Sequence, residues 1–299
     1  MNELSTKPTR GKTIPAQHFE AARFEAALGA EVVDVDLSQP IDDETVDAIR
    51  HALLESGGLL VFRRQFITPK QHIAFSRRFG SLMIHVLSQY LLPGHPEILK
   101  VSNVIENGQP IGLGDAGHYW HSDLSYTPEP SLGSLLHALE LPSEGGDTSF
   151  ANMTAAYDEL PANIKQRLVG KRAVHSYRHS YDRMSASRWR PPMTQEQKDA
   201  IPEVIHPVIR THPESGHKAL FVNEGFTSRI LDMPEAESRE LLQFLFGHST
   251  KPGFIYRHQW QDHDLVFWDN RCTIHFAHGC PPELRRHMHR TTVKGDVVV

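Results

Sequence analysis

The sequence predicts a mainly β fold with flanking helices, of the class that includes sandwiches, barrels and jelly rolls. Beyond residue 100, short β-rich runs alternate with clusters of Gly, Pro, Asn and Asp, which favour turns. Helical patterns are fewer, and most of them lie in the first 80 residues. The N-terminus (MNELSTKPTRGKTIP) is polar and lacks the apolar stretch of a secretory signal. We therefore predict a flexible tail at 1–18 and, because no repeat or linker is evident, a single domain at 19–299.

The first elements alternate between strand and helix. Residues 31–37 (EVVDVDL) alternate apolar and acidic side chains, as a half-buried strand does. Asp42 is suited to cap a helix that ends before Gly57, because a carboxylate accepts from free backbone N–H groups and glycine tolerates the turn after a helix. The apolar face of this helix consists of Val46, Ile49 and Leu53. Residues 58–62 (GLLVF) are apolar or glycine throughout and predict a buried strand.

A second helix is predicted from Thr68 to Phe79, with the threonine as its cap and Pro69 at the first helical position. A third is predicted at 234–246, within the β-rich part of the chain. Residues 183–202 are polar with little strand pattern, and we interpret them as a mobile lid, since long loops in compact domains are often functional. The β-rich runs lie at 134–141, 203–212, 217–224, 264–270 and 289–299.

Composition narrows the class of protein and its compartment. The chain carries 31 Lys and Arg against 36 Asp and Glu, for a net charge of −5 and a pI near 6.5, which argues against a nucleic-acid-binding protein. No apolar run reaches the roughly 18 residues of a membrane helix. With only two cysteines, Cys272 and Cys280, a reduced, cytoplasmic protein is expected. Neither nucleic acid nor membrane is expected as a partner, whereas a homo-oligomer, a dimer or a tetramer, stays open.

Residues 117–123 (GHYWHSD) contain the first candidate site. His121 and Asp123 stand two residues apart, so on an extended segment their side chains point to the same side and can meet at a metal ion. The spacing by itself is weak evidence, because 20 His and 36 acidic residues produce roughly two or three such pairs by chance. Three further pairs of this kind begin at His18, His95 and His212.

A second histidine-bearing stretch lies near the C-terminus, at 268–275 (WDNRCTIH). An apolar strand leads into it, Asp269 and Asn270 predict a turn, and His275 follows on the next strand. Two His and one carboxylate, with coordination positions left open, are the ligand set of a non-haem Fe(II) oxygenase. A bidentate 2-oxo acid would occupy two of the open positions and O2 the third.

Two arginines follow at a spacing that suits a strand. Arg286 and Arg290 are four residues apart, so they share one strand face with Met288, and this face is cationic in a protein that is net acidic. An arginine about ten residues beyond the last histidine is placed to hold the far carboxylate of a 2-oxo acid with its planar fork, a geometry that lysine does not reproduce.

Two other functions share part of this pattern. A zinc hydrolase also binds its metal through two His and a carboxylate, but it needs a general base beside a metal-bound water and gives Arg286 no role. A β-barrel binding protein without enzymatic activity has no use for an open metal position. Iron-dependent turnover of 2-oxoglutarate would exclude it.

The chain from about residue 20 to 296 resembles the taurine dioxygenase family of Fe(II)/2-oxoglutarate-dependent oxygenases. The resemblance rests on five blocks taken together: WHSD (120–123), PSEGGDTSFANM (142–153), HPVIRTHPESGHKALFVNEGFTSRI (206–230), WDNRCTIH (268–275) and RRHMHRTTVKGD (285–296). It implies a double-stranded β-helix (jelly roll), with Fe(II) as the metal, 2-oxoglutarate as co-substrate and O2 as oxidant.

The same resemblance implies roles for individual side chains. The implied iron ligands are His121, Asp123 and His275. The implied contacts of 2-oxoglutarate are Thr148 and Arg286, the arginine pairing with the distal carboxylate. The implied contacts of a small anionic substrate are His85 and Arg290 at its anionic group, with Tyr126, Tyr181 and Phe226 as pocket walls.

The resemblance defines the substrate less closely. Taurine or a related alkanesulfonate is the first expectation, and its hydroxylation would release sulfite and an aldehyde, with succinate and CO2 from the co-substrate. Taurine enzymes carry an asparagine four residues before the first iron ligand and a tyrosine three residues after the His85 equivalent, where this chain has Gly117 and Ser88. The anion contacts are thus retained. Of the other two, Gly117 provides no amine contact, whereas Tyr90 is near enough to replace the tyrosine if the loop shifts. Related enzymes that act on alkyl sulfates or aryloxyalkanoates share the iron and 2-oxoglutarate residues and remain alternatives.

Overall fold

The computed structural model describes residues 10–14, 19–184, 194–196 and 201–299, so most of the predicted lid lies outside the described residues. Helices α1 to α6 span Asp43–Glu55, Pro69–Arg77, Met153–Asp158, Ala162–Leu168, Tyr177–Met184 and Glu235–Ser249. Short 3₁₀ helices lie at Ser88–Tyr90 and Pro252–Phe254. Strands β1 to β9 span Arg10–Ile14, Glu20–Phe24, Ala30–Val33, Leu59–Phe62, Leu91–Leu92, His95–Ser102, Ile105–Glu106, Gln109–Pro110 and Gly133–Glu140. Strands β10 to β19 span Thr148–Asn152, Arg172–His175, Val204–Pro207, Ile209–Thr211, Lys218–Leu220, Thr227–Ile230, Ile255–His258, Leu265–Asp269, Thr273–Ala277 and His287–Val293.

A nine-stranded major sheet forms one wall of the fold. Its order is β1-β2-β3-β4-β17-β9-β19-β6-β5, with β3 and β4 parallel and its other neighbours antiparallel. Strands far apart in the sequence are therefore adjacent, and β17 lies between β4 and β9. This arrangement places β19, which carries the predicted site residue Arg290, between β9 and β6 in the interior of the sheet.

A minor sheet of order β16-β10-β18 packs against the major sheet. Apolar side chains from both sheets form a shared core, and its fully buried members include Leu59, Val61, Phe150, Val266 and Met288. Two β layers around one core are what the sequence predicted, because each strand buries one face and must cover it with another layer. The predicted mainly β fold with flanking helices is confirmed.

Helices cover the outer faces of both sheets. Helices α1 and α2 pack on the major sheet, while α3 and α6 pack on the minor one. As predicted, Asp42 caps α1 by accepting from the Thr45 N–H at 2.7 Å. Thr68 caps α2 together with the side chain of Gln71, in a reciprocal capping box. The caps fix where each helix begins.

Several boundaries differ from the sequence prediction. The strand predicted at 31–37 ends at Val33, and the helix predicted to reach Phe79 ends at Arg77. The third predicted helix, which is α6, continues to Ser249, beyond its predicted end at 246. The last strand ends at Val293, although apolar residues continue to Val299. Within the predicted tail, Arg10–Ile14 forms strand β1, which pairs with β2. Edge strands are held by backbone hydrogen bonds, which a polar sequence does not reveal.

Candidate active site

Backbone pairing brings His121 and His275 together. His275 lies in β18, the edge strand of the minor sheet. The His121 N–H donates to the His275 carbonyl at 3.0 Å, and the His275 N–H donates to the His121 carbonyl at 2.8 Å. The two ring centroids lie 4.1 Å apart. This bridge attaches the HxD segment to the sheet and fixes both imidazoles side by side.

The side chains of His121, Asp123 and His275 converge on one point. Asp123 Oδ1 lies 3.7 Å from His121 Nε2, and Asp123 Oδ2 lies 3.9 Å from His275 Nε2. One donor atom from each residue lies within 4.8 Å of the others, and all three residues are buried. His121 Nδ1 lies 2.9 Å from the Tyr119 carbonyl, so Nδ1 carries the hydrogen and Nε2 presents its lone pair to the site. This donor set fits Fe(II).

Asp123 is held as a charged carboxylate. Ser134 Oγ donates to Oδ2 at 2.7 Å, and Arg290 Nη1 donates to Oδ1 at 2.9 Å. Burial on its own raises the pKa of Asp123, but Arg290 and the two histidines outweigh it, so the pKa lies well below its usual range. Burial, followed by the neighbouring His121, holds the pKa of His275 well below its usual range. A charged carboxylate and a neutral imidazole are the forms that bind a metal.

Asn270 fixes the segment that carries Asp123, and sequence reasoning missed it as a site residue. Its Oδ1 accepts from the Asp123 N–H and from the Trp268 indole N–H, both at 3.1 Å. Its Nδ2 donates to Ser131 at 3.0 Å and to Ser134 at 3.2 Å. Ser134 itself donates to the Asp123 carboxylate, so Asn270 supports that carboxylate along two routes. The sequence predicted Asn270 only as part of a turn.

Thr148 and Arg286, predicted to hold 2-oxoglutarate, belong to facing sheets: Thr148 begins β10 and Arg286 precedes β19. The Arg286 side chain is buried, yet its Nε and Nη2 have no hydrogen-bond partner among the described residues. Burial lowers the pKa of Arg286 to about 10, against the influence of Cys280 and Asp147, so the guanidinium stays charged at neutral pH. A buried charge without a partner is costly. An anionic ligand such as a carboxylate therefore fits this position.

The pocket beside Arg286 is a neighbour of the pocket that His121 and Asp123 line. Both pockets have Leu113 and Ala116 in their walls. Trp260, which carried no sequence signal, donates its indole N–H to Thr148 Oγ1 at 3.1 Å. The unpartnered guanidinium therefore lies in a pocket next to that of His121 and Asp123.

Four of the predicted substrate residues lie beside the triad. His85, Arg290, Tyr126 and Phe226 line the same pocket as His121 and Asp123. Arg290 Nε has no hydrogen-bond partner within the described part of the chain. The remaining predicted wall, Tyr181, packs behind Tyr177 with ring centroids 5.9 Å apart. Tyr177 lines the pocket in its place, because the two tyrosines stand about one turn apart on α5.

An apolar cavity of about 250 Å³ adjoins this pocket. The two share four wall residues, which are His85, Leu124, Tyr126 and Tyr177. The other walls are Met83, Ile84, Val86, Thr127, Pro128, Ile201, Pro202, Val204 and Thr292. Nearly all are apolar. A group bound beside the triad therefore has uncharged, hydrophobic space behind it.

Gly117 lies directly against the first candidate iron ligand. Its φ is +77°, and a Cβ at this position would lie 2.8 Å from His121 Cε1. Any side chain here requires both a rare backbone conformation and a shift of the imidazole. The asparagine of the taurine enzymes therefore has no equivalent space in this structure.

A second group of possible ligands, His212, Asp269 and Cys272, is explained without a metal. Asp269 Oδ2 lies 3.1 Å from His212 Nε2 and accepts from Arg271 Nη2 at 2.6 Å. Burial raises the pKa of Asp269, but Arg271 and His212 outweigh it and hold the pKa below its usual range. Burial and the Asp269 charge hold the pKa of Cys272 well above its usual range. The cluster is an internal ion pair with a protonated thiol beside it.

Comparison with known proteins places the chain in a family. The model for the taurine catabolism dioxygenase TauD, TfdA family matches residues 19–292. The chain belongs to the TauD/TfdA family. The alpha-ketoglutarate-dependent 2,4-dichlorophenoxyacetate dioxygenase of Burkholderia sp. (strain RASC), a TauD/TfdA relative, is 38% identical over 253 residues, which cover 81% of this chain and 83% of the relative.

Solved structures agree with the TauD/TfdA assignment. A taurine dioxygenase from Burkholderia xenovorans matches with a TM-score of 0.79 and 32% identity, over 94% of this chain and 91% of that one. AAD-2 in complex with Mn(II) and N-oxalylglycine matches with a TM-score of 0.80 and 31% identity, over 94% of this chain and 99% of that one. The predicted jelly roll is thereby confirmed.

This TauD/TfdA protein is a 2-oxoglutarate-dependent non-haem iron dioxygenase, as predicted. Its cofactors are Fe(II), 2-oxoglutarate and O2, and its substrate is a small molecule. The zinc hydrolase and the non-enzymatic binding protein are therefore excluded. In the described part of the chain, no helix has the length and apolar character needed to cross a membrane.

Proposed function

We propose that this dioxygenase hydroxylates a small anion with an apolar body of aryl size, of the aryloxyalkanoate type. The observation that carries the proposal is the apolar cavity of about 250 Å³ beside the triad. Taurine has a two-carbon body that ends in an ammonium group, and the described walls of this cavity offer such a group a mainly apolar surface, where a charge is costly. The name of the 38% identical relative, a 2,4-dichlorophenoxyacetate dioxygenase, supports the same substrate class.

In this proposal, one set of residues holds the metal and another holds the co-substrate. His121, Asp123 and His275 bind Fe(II) through Nε2 and carboxylate oxygen atoms. Thr148 and Arg286 bind the distal carboxylate of 2-oxoglutarate. The unpartnered Nε and Nη2 of Arg286 support this role, since they are buried donors with no acceptor among the described residues.

The substrate's anionic group binds to Arg290 and His85. Arg290 keeps Nη1 on Asp123 at 2.9 Å, and its Nε has no hydrogen-bond partner among the described residues. It is therefore able to hold the ligand of the metal and the anion of the substrate at once. The apolar body then extends between Tyr126 and Tyr177 into the cavity. The carbon next to the anionic group is thereby kept beside the triad.

When bound, iron and 2-oxoglutarate would supply oxidation by O2: the co-substrate would be converted into succinate and CO2, one oxygen atom of O2 entering succinate and the other the substrate. For an aryloxyacetate, hydroxylation of the carbon next to the ether oxygen gives a hemiacetal. This product breaks down into a phenol and glyoxylate. The apolar walls and the Arg290 contact orient that carbon and exclude water from it.

A substrate panel tests the proposal. Phenoxyacetate, an amine-free alkanesulfonate, an alkyl sulfate and taurine are each offered with Fe(II) and 2-oxoglutarate, and release of phenol, sulfite, sulfate and succinate is measured. We expect phenol release to be fastest and Arg290→Ala to lower kcat/KM at least a hundredfold, since charge-assisted hydrogen bonds are each worth about 1.5–3 kcal/mol. Arg229→Ala, which removes a half-exposed arginine from its ion pair with Glu203, is the matched control.

The same panel gives the outcome that would change the substrate class. Sulfite release from taurine faster than phenol release would restore taurine as the substrate. Faster turnover of the amine-free sulfonate would assign the enzyme to alkanesulfonates in general. Neither result would alter the assignment as an iron and 2-oxoglutarate enzyme.

A further inference from the structure

Trp260 contacts both residues that we assign to the distal carboxylate of 2-oxoglutarate. Its indole Nε1–H donates to Thr148 Oγ1 at 3.1 Å. The guanidinium carbon of Arg286 lies 5.9 Å from the centroid of its ring, within the range of a cation–π contact. Thr148 and Arg286 come from facing sheets, so Trp260 joins the two sides of the carboxylate site.

The hydrogen bond from Trp260 decides the direction of the Thr148 hydroxyl. An indole N–H is only a donor, so Thr148 Oγ1 must be the acceptor. A threonine hydroxyl has one hydrogen and two lone pairs, and with one lone pair occupied its hydrogen points away from Trp260. Among the described residues, Thr148 Oγ1 donates to no acceptor. Thr148 is therefore presented as a donor, which is the form that binds a carboxylate.

The loop that carries Trp260 is held rigidly before any ligand binds. Asp264 Oδ2 accepts from the Gln261 N–H at 2.9 Å and from Arg63 Nη1 at 2.5 Å, and it lies 3.1 Å from His258 Nε2. The His258 ring packs edge-on against Trp260, with centroids 4.7 Å apart and planes at 88°. A side chain that is fixed in this way reduces the ordering cost of ligand binding.

We propose that Trp260 is a positioning residue for 2-oxoglutarate, which orients the Thr148 hydroxyl as a donor and supports the Arg286 guanidinium from one face. The inference rests on the proposed function, in which Thr148 and Arg286 bind the distal carboxylate. It predicts that Trp260 matters for dicarboxylate 2-oxo acids and has no effect on 2-oxo acids that lack the second carboxylate.

Trp260→Phe tests this, because it removes the N–H donor while it keeps an aromatic ring, though a smaller one, beside Arg286. The Kd of 2-oxoglutarate is measured on the Fe(II) protein without O2, from the visible charge-transfer band. We expect it to rise about three- to tenfold, the range of one neutral hydrogen bond. The KM for 2-oxoglutarate should rise with it, while kcat at saturation stays within about twofold of wild type. Pyruvate, which lacks the distal carboxylate, should bind to both proteins with the same Kd.

A double-mutant cycle separates positioning from a general structural role. Thr148→Val leaves Trp260 in place and should raise the Kd at least as much as Trp260→Phe does. In the Thr148→Val background, Trp260→Phe should add less than about twofold, because the acceptor of its hydrogen bond is already gone. The inference would be overturned if the fold-changes in Kd of the two substitutions multiplied in the double variant. It would also be overturned by an unchanged Kd in either single variant, or by an equal loss of pyruvate affinity. Normal 2-oxoglutarate binding by Arg286→Lys would instead overturn the underlying carboxylate assignment.

Discussion

At the scale of single residues, Gly117 positions an iron ligand by having no side chain. Its backbone lies at a φ of +77°, and His121 Cε1 occupies the space where a Cβ would be. The imidazole is also held by the contact of its Nδ1 with the Tyr119 carbonyl at 2.9 Å. The ring therefore has little freedom to move, and a substitution at 117 must displace either the ring or the backbone.

Gly117→Ala is therefore expected to weaken Fe(II) binding roughly tenfold or more, as loss of support around a metal ligand does. Gly216→Ala is the matched control: its φ is +72°, but nothing lies within 4 Å of the added Cβ. Both variants should lose roughly 1–2 kcal/mol of stability from the left-handed backbone, and only Gly117→Ala should lose iron affinity. Metal titration and thermal unfolding measure the two effects separately. Equal iron affinity in the two variants would show that the contact with His121 is without consequence.

The residues that touch ligands were easier to predict than those that support them. His121, Asp123 and His275 stand in recognisable motifs, and the structure brings their donor atoms within 4.8 Å. Asn270 and Trp260 act through hydrogen bonds to residues more than 100 positions away. Such pairs arise from strand order in the sheets, which no local pattern in the sequence specifies.

At the scale of elements, local signals predicted the helices that have caps and the strands that are uniformly apolar. The caps at Asp42 and Thr68 formed as predicted. Strand β10, with the sequence TSFAN, was missed, because its Ser, Thr and Asn suggest a turn although all five residues are buried. Strand β6 was missed as well, and it contains Pro96 near its start. Tertiary contacts, rather than propensity, decide such strands.

Strand β12 supplies one wall of the proposed aryl cavity through Val204. Val204→Phe should fill part of that cavity and raise the KM for phenoxyacetate roughly tenfold, within the limits for one added group in an apolar pocket. A short alkoxyacetate, which leaves the cavity empty, should be affected less than about threefold. Ile205→Phe is the control, because Ile205, the next residue in the strand, is 51% exposed and is not among the residues that line the cavity. Equal effects on both substrates would place the aryl group elsewhere.

At the scale of the whole molecule, β19 serves the site with one face and the protein's stability with the other. Met288 lies in the core between the sheets, and Arg290 on the same face reaches Asp123. On the opposite face, Thr291 Oγ1 lies 2.7 Å from Ser76 Oγ and 3.2 Å from His72 Nε2, both on α2. Residues that alternate along one strand therefore attach the active site and the covering helix to the same backbone.

Histidines are concentrated on this outer face. His289 of β19 is paired with His137 of β9, and the His137 ring lies 6.0 Å from that of His72. Burial, with added repulsion from His137 and His289, lowers the pKa of His72 to about 3. Burial, followed by His287 and His137, lowers the pKa of His289 to about 3. These side chains are therefore neutral in the folded protein over the physiological range.

This cluster predicts that the fold loses stability in mild acid. An unfolded histidine has a pKa of about 6.5, so between pH 6.5 and 3 the unfolded chain binds protons that the folded protein does not. The free energy of unfolding is therefore highest above pH 6.5 and falls as the pH drops toward 3, by about 1.4 kcal/mol per pH unit for each such histidine. His72→Gln should reduce that slope by about 1.4 kcal/mol per pH unit, whatever it does to absolute stability. Denaturant unfolding of the iron-free protein between pH 6 and 4.5 measures the slope for the wild type and for the variant. The other titrating groups contribute equally to both proteins. Identical slopes would therefore mean that His72 is protonated in the folded state.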